Sequence, residues 1–512
     1  MSGCFSTDRG LEPPEKSIYF PVGLAVSPGG TALYVASSDF DLQFNAGWVQ
    51  LYDLAALREA LRPLTSGPTD DAPTLCARAG LAVNGSELLQ PGPCAALDPS
   101  PMVRSVAKTG AFATDLLFVC RPSPVTGVGR CRGPADTNGA RLFVPVRGDP
   151  SVTFFEVDDD RGGSQSFRFE CGQNLNSGRC DDGHRMGVDP DENTRGLAMP
   201  TEPFGLAAAD TTEALVVTHQ AWGAMSLFTE RLGSQSSLFD VKPALQFVLD
   251  GLPAAATGIA AMPVPAIVHE LGYDANYQPG FLVAYRGAAE VDVVRFFSDL
   301  YASPARPFLV RTAAYAITAN AGGSDSRSIA IDASESSPRM VCEAGCYAQK
   351  EFPPGDSRND CLMRCATVPL AIYIANRAPA SLVIGETWNP WPTVSAEALR
   401  IYDSVPLSYG PSRVVVGTIR DRQGMARTRV FVVCFDSRLI YVFDPEAGRV
   451  ENAIRTGRGP HALVLDPIEP IAYVAHFTDS YIGVVDLDEA HSDTFETMVA
   501  AVGVPTAPRE TK

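Results

Sequence analysis

Lysine is nearly missing from this chain of 512 residues, where 5 lysines stand against 36 arginines. That skew fits a GC-rich genome better than any need of a fold. Positive charge is short overall, with 41 Lys and Arg against 59 Asp and Glu and a formal charge of −18. A general nucleic-acid binder needs a basic footprint, so that class is excluded. No run of roughly 18 apolar residues occurs, so no membrane-spanning helix is expected. The chain also lacks a G-x-S-x-G elbow, an H-E-x-x-H zinc helix, a Walker-type phosphate loop and a C-x-x-C-H haem attachment site. What remains is an ordinary globular composition, 45% hydrophobic and 20% charged, too apolar for a disordered chain. Length alone would suggest about three domains of roughly 150 residues, a prior that barrels and propellers break.

Cysteine, by contrast, is plentiful. Ten of the twelve fall in local groups within polar, Gly/Pro-rich stretches. Cys76 with Cys94, Cys120 with Cys131 and Cys171 with Cys180 read as loop-closing pairs. Cys342-x3-Cys346 and Cys361-x3-Cys365 read as two helical turns joined by a loop, a short helical hairpin. Residues four apart share a helix face, so antiparallel turns would pair Cys342 with Cys365 and Cys346 with Cys361. Five disulfides imply an oxidising compartment. The rival is a zinc site from the four clustered cysteines, disfavoured because zinc knuckles use tighter C-x2-C spacing. Cys434, inside VFVVCF, is expected to be a buried free thiol. Cys4 follows Met1, Ser2 and Gly3, similar to the end of a bacterial lipoprotein signal, although the basic and apolar regions of such a signal are missing. Lipidation of Cys4 is the expectation; an ordinary cysteine near a frayed terminus is the plainer one.

One pattern recurs seven times: a short β-favouring run, a small or polar pair, a turn, then a second β run. The copies begin at LYVASS (33), LFVPVRGDPSVTFFEVD (142), LVVTHQAWGAMSLFT (215), FLVAYRGAAEVDVVRFF (281), IYIANRAPASLVIGE (372), VFVVCFDSRLIYVFDP (430) and AYVAHFTDSYIGVVDLD (472). Each is a β-hairpin. Upstream of each lies another short strand, several with a shared heading: PVGLAVSP (21), PFGLAAAD (203), TGIAAMP (257), RSIAIDA (327), PSRVVVG (411) and PHALVLDP (460), with MVRSVAKTG (102) as a weaker seventh. Three strands plus a variable fourth, seven times over, is an all-β, seven-bladed β-propeller. Blades of roughly 40–45 residues need about 300 residues; the remainder is expected as cysteine-bearing insertions near 60–100, 115–140, 160–200 and 335–368. The division is then an anchor or linker at 1–16 and one propeller over 17–512. Ring closure is expected through a mixed blade, with 494–503 on one side and 17–20 on the other.

The segments IYIANR (372–377) and 457–488 resemble the YVTN-type, or lactonase-like, seven-bladed propeller repeat family. The resemblance covers most of the chain outside the insertions. It implies architecture and little about function, because that repeat serves enzymes, surface proteins and scaffolds alike.

In an antiparallel blade, the start of the inner strand and the end of the second strand lie on one face, and these residues converge on the central channel. The repeat predicts Val22, Arg104, Phe204, Thr257, Arg327, Ser412 with Arg413, and His461 at the inner-strand starts. It predicts Ser38, Arg147, His219, Arg286, Arg377, Cys434 and His476 at the second-strand ends. The ligand-binding candidates are therefore Arg104, Arg147, His219, Arg286, Arg327, Arg377, Arg413, His461 and His476. Clustered guanidinium groups suit carboxylates and phosphates, and a charged funnel steers anions. A plainer reading competes: an Arg belonging to the repeat can hydrogen-bond turn carbonyls or pair with the next blade.

Other motifs carry less. Arg147-Gly148-Asp149 invites an adhesion reading that chance explains as well. Asp189, Asp191 and Asn193 alternate as in a calcium loop, with Asp181 and Asp182 nearby, but Thr194 stands where the loop needs Gly and Pro200 where it needs Glu; a solvated acidic loop competes. Asn84 opens a glycosylation sequon, and Trp388 and Trp391 could form an aromatic surface. The function expected is an exported, lipid-anchored propeller of the bacterial cell envelope, binding an envelope or surface protein or an anionic small ligand. No nucleic acid is expected, no membrane contact except through the lipid, and no cofactor except a structural calcium. The alternatives are a lactonase-like hydrolase on the Arg/His face, for which no catalytic base can be assigned, and a structural subunit of an envelope complex.

Overall fold

The computed structural model describes residues 10–506 except 66–70, 86–89, 122–130, 132–134, 136–138, 164–165, 176, 188–195, 211, 231–241, 273–276, 300–301, 303–304, 318–324 and 389–397. Seven antiparallel sheets, each from one continuous stretch of chain, form a seven-bladed β-propeller. Blades 1 to 7 span 21–109, 117–186, 203–250, 256–316, 326–406, 411–455 and 460–502. Strands run inner to outer in chain order, and blade 2 adds Arg185–Met186 against its third strand, Ser151–Val157.

The second strands explain why the repeat is readable. Ala32–Ser37, Ala214–His219, Gly280–Tyr285 and Ile471–His476 are buried at every residue. Neighbouring blades cover both faces, so these strands read as unbroken apolar runs rather than alternating ones. Outer strands such as Phe308–Ala316 and Arg449–Arg455 are half in solvent and carry a much weaker signal. The inner strands need small residues where blades crowd. A Cβ on Gly258 would lie 3.0 Å from the Cα of Ser328 in the next blade, and one on Gly23 2.8 Å from the backbone of Asp115; glycine is the residue that permits such approach.

Three expectations about connectivity are corrected. Val103–Thr109 is not an inner strand but the outer strand of blade 1, displaced by the long insertion that separates it from the third strand, Gly47–Asp53. The inner strand of blade 2 is Leu117–Val119, so the 115–140 segment is not wholly an insertion. Nor does the ring close through a mixed blade. Thr497–Val502 is the outer strand of blade 7, paired with Tyr481–Asp486 of the same blade. Closure instead uses helix α1, Leu54–Thr65, which extends from blade 1 and packs with blade 7 residues Ile471, Tyr473 and Val499 in one apolar cluster. Arg58 on this helix makes a two-pronged ion pair with buried Asp466 of blade 7 at 2.7 and 2.9 Å. Leu97 completes the clasp, donating to the carbonyl of Ala501 and accepting from Gly503, each at 2.8 Å.

All five expected disulfides are present: Cys76–Cys94, Cys120–Cys131, Cys171–Cys180, Cys342–Cys365 and Cys346–Cys361. Cys434 is a buried free thiol. The clustered cysteines are thus consumed by bridges, and the zinc reading falls. The helical hairpin, Pro338–Ala348 and Arg358–Cys365, has a small core of its own. A helix in blade 4 with no sequence expectation, Ala266–Glu270, packs Ile267 and Val268 against Cys346, Leu362 and Cys365. No helix among the described residues is long and apolar enough to cross a membrane.

Candidate functional site

The inner-strand starts share one local device. The pairing register slips between Pro21 and Gly23, Pro203 and Leu206, Ala256 and Gly258, Ser326 and Ser328, Pro411 and Arg413, and Pro460 and Leu463. A bulge re-aims the extra residue, here Val22, Phe204, Thr257, Arg327, Ser412 and His461. The expected inner ring therefore forms in six blades. In blade 2 the position belongs to Thr114, beside the Ala113–Val146 bridge, and Arg104 is corrected: it sits on an outer strand and pairs with Asp53 at 2.5 Å.

The second ring follows from the same registers. The residues paired to the inner-strand starts are Ser37, Val146, His219, Tyr285, Asn376, Cys434 and His476. Each is buried. The residue that reaches the face is the next one in each blade: Ser38, Arg147, Gln220, Arg286, Arg377, Phe435 and Phe477. The backbone N–H of each donates to the turn that opens the blade's own inner strand, at 2.8–3.1 Å. Because side chains alternate with period two, a one-residue slip turns a side chain to the other surface. His219, Cys434 and His476 are thus corrected as structural. His219 Nε2 bonds Ser226 Oγ at 2.8 Å, and its Nδ1 lies 3.1 Å from the Thr201 carbonyl. His476 stacks on Tyr481 at 4.1 Å. Burial holds their imidazoles near pKa 4 and 3.

The arginines do gather. Arg147, Arg286, Arg327 and Arg377 keep between 19% and 34% of their side chains open. The Arg286 pKa is lowered by burial first and then by the charges of Arg327, Arg377 and Arg147, with Asp325 opposing. They also pair between blades: Arg147 with Glu202 at 3.1 Å, Arg286 with Asp325 at 3.7 Å, and Arg377 with Asp436. Arg327 binds Asp325 at 2.5 Å within its own blade. The inter-blade role and an accessible guanidinium face therefore coexist in the same side chains. Deeper, Arg413 of blade 6 spans the lumen to Asp115 of blade 2 at 2.9 and 3.0 Å, and Asp115, against the cost of burial, raises the Arg413 pKa. Burial, and then Arg413, push His461 down to about 4. Its Nδ1 lies 3.0 Å from the Val22 carbonyl. A carbonyl can only accept, so Nδ1 carries the proton and Nε2 is a bare acceptor.

Phe40, Phe112, Phe435 and Phe477 line a cavity of about 240 Å³ at this mouth together with Arg147, Arg327, Arg377 and His461. None of these phenylalanines was expected at a site. The available signal was the C-F and H-F ending of blades 6 and 7, aligned with the N-R and Y-R ending of blades 5 and 4.

The remaining motifs find other employment. In Arg147-Gly148-Asp149 the aspartate is engaged by Arg185 and by Ser151, so the tripeptide is not presented for adhesion. Asn84 donates to the carbonyls of Gln90 and Gly92 at 3.0 and 2.8 Å. Asp189, Asp191 and Asn193, with Cys4 and Trp391, lie outside the described residues. Trp388 ends the third strand of blade 5, paired to Ala398.

No family model matches the chain, and no curated protein matches it. Solved structures with a similar course include a Kuenenia stuttgartiensis hydrazine synthase, 10% identical over 95% of this chain and 98% of that one, TM-score 0.44. A functionally unknown protein from Desulfotomaculum acetoxidans DSM 771 is 14% identical over 83% and 96%, TM-score 0.40. Virginiamycin B lyase from Staphylococcus aureus is 8% identical over 92% and 94%, TM-score 0.41. Likeness at this level carries no inference about activity.

Proposed function

We propose that this protein is an exported binding protein that holds a small anion at the mouth of its central channel. The observation that carries the reading is the convergence of Arg147, Arg286, Arg327 and Arg377 on one face of a chain whose net charge is −18. The five disulfides support an oxidising, extracytoplasmic setting. Lipidation of Cys4, residence at the cell envelope and membership of the YVTN-type repeat family belong to the same proposal, supported by the residues around Cys4 and by the 372–377 and 457–488 repeats.

Binding is favoured over hydrolysis by the state of His461. Its bare Nε2 is the best-placed base of the mouth, yet a conjugate acid near 4 makes it a weak one at neutral pH. Thermal shift of the full chain with sodium phosphate, acetate and benzoate tests the reading. At least one anion should raise Tm in a saturable way, as ligand binding to the native state requires. The double variant Arg327→Gln, Arg377→Gln should lose that shift; identical responses in both proteins would refute the site. Intact mass of the natively expressed gene product tests the envelope part. A diacylglyceryl adduct on Cys4 is expected, and an unmodified cysteine there would remove the anchor.

A further inference from the structure

The mouth is two-sided. Blades 2, 4 and 5 supply its arginines, while blades 1, 6 and 7 supply aromatic rings, with Phe112 joining them from the turn into blade 2. Phe40 meets Phe477 at 5.2 Å and Phe112 at 5.9 Å, both edge to face. Phe435 lies 6.2 Å from Phe477, and the neutral His461 ring 6.1 Å from Phe477. Phe40 is 53% exposed, an unusual state for a ring surrounded by other rings. Phe112 stands in the left-handed region at φ 62, which bulky side chains rarely adopt. The corresponding turn residue is left-handed in other blades too, at Phe20, Glu202 and Ala255 and at the glycines Gly410 and Gly459. In blade 2 this turn sets the Phe112 ring at the mouth.

We infer that the mouth takes an amphiphilic monocarboxylate, its flat apolar ring seated against Phe40, Phe112 and Phe477 and its carboxylate on Arg327 and Arg377. This rests on the anion-binding reading and adds the class of ligand. Size agrees: an apolar cavity of about 150 Å³ holds benzene, so about 240 Å³ leaves room for a ring and a short acidic arm. Charge agrees too. Arg147, Arg286, Arg327 and Arg377 face Glu202, Asp325 and Asp436, an excess of one positive charge, which suits a monoanion better than a dianionic phosphate. Aromatic pairs prefer the edge-to-face and offset geometries these rings offer.

Calorimetric titration of the full chain with phenylacetate, acetate, phenylacetamide and phosphate tests the inference. Phenylacetate should bind at least about tenfold tighter than acetate and than phenylacetamide, a difference of about 1.4 kcal/mol. Phe477→Ala should lower phenylacetate affinity about tenfold while leaving acetate unchanged. Should that variant fail to fold, Phe40→Ser, at a ring already half exposed, carries the same expectation. Acetate or phosphate binding as tightly as phenylacetate would overturn the aromatic seat and leave the anion site standing. Phenylacetamide binding equally well would overturn the carboxylate contact. Binding of no anion at all would overturn both readings.

Discussion

Asn376 and His476 occupy the same position in blades 5 and 7, and the difference between them is a titration. Both are fully buried; Asn376 donates to the Pro379 carbonyl at 2.6 Å, and the His476 Nδ1 donates to that of Val474 at 3.1 Å. Burial holds His476 near 3, against 6.5 in an open chain. Below about pH 6.5 the unfolded chain therefore takes a proton that the folded chain refuses. The stability contributed by the neutral ring is intact above that pH and lost on acidification, at about 1.4 kcal/mol per pH unit. Asp39 and Glu496, pushed by burial to about 7, run the other way: their contribution is present below about pH 4 and lost as pH rises through 7. A difference between variants isolates the histidine. His476→Asn should flatten the decline below about pH 6.5 by that slope, read from urea midpoints; an unchanged slope would contradict a buried neutral imidazole. His461 makes a second case. Arg413→Gln should raise its titration midpoint above about 4 in an NMR pH series, because the Arg413 cation is, after burial, what holds it down.

Between blades the decisive elements are those that close the ring. Asp466 accepts from Arg58, from the Tyr473 hydroxyl at 2.9 Å and from the backbone of Ile468 and Glu469. Arg58→Met leaves that buried carboxylate without its cation, which costs about 3–5 kcal/mol. A drop of that size in urea unfolding is expected, with partial recovery when Asp466→Asn is added. The elements also show what was legible in the sequence. Inner-strand starts were readable in six blades because a short apolar run marks them, in five of the six under a Pro or Gly heading. Blade 2 escaped because its inner strand has three residues, while the strand-like 103–109 belongs to a different blade. The aromatic half of the mouth escaped for another reason. In blades 4 and 5 a charged residue ends the buried run and marks the face. In blades 6 and 7 the face residue is itself apolar, Phe435 or Phe477, so polarity points one residue too early, to Cys434 and His476.

Across the whole molecule, the connections sort by face. A loop from an inner to a second strand leaves from the end opposite the mouth, and so does a loop from a third to a fourth. The helical hairpin 338–365, helix Ala266–Glu270 and helix α1 all arise from such loops. The hairpin's bridges therefore bear on stability and not on the mouth. Cys346→Ala with Cys361→Ala should lower stability by about 3 kcal/mol, as opening a loop of this length does, while phenylacetate affinity stays at the wild-type value. A parallel loss of affinity would contradict the separation of the two faces.

The N-terminal segment runs the other way, along the mouth side of the ring. Tyr19 and Phe20 lead into the first inner strand at the mouth, Leu11 pairs with Phe44 in the loop after the second strand, and Glu12 reaches Lys108 at the end of the fourth. The chain thus enters along the mouth side of the rim. Five residues lie between Cys4 and Gly10, six peptide steps that span on the order of 20 Å at full extension. With the proposed lipid at the end of this span, the mouth would look down at the bilayer and the helical hairpin up and away from it. Ligand would then arrive by way of the membrane surface, where molecules with an apolar ring and a single negative charge collect, while the opposite side would be free to vary its loops and meet other proteins.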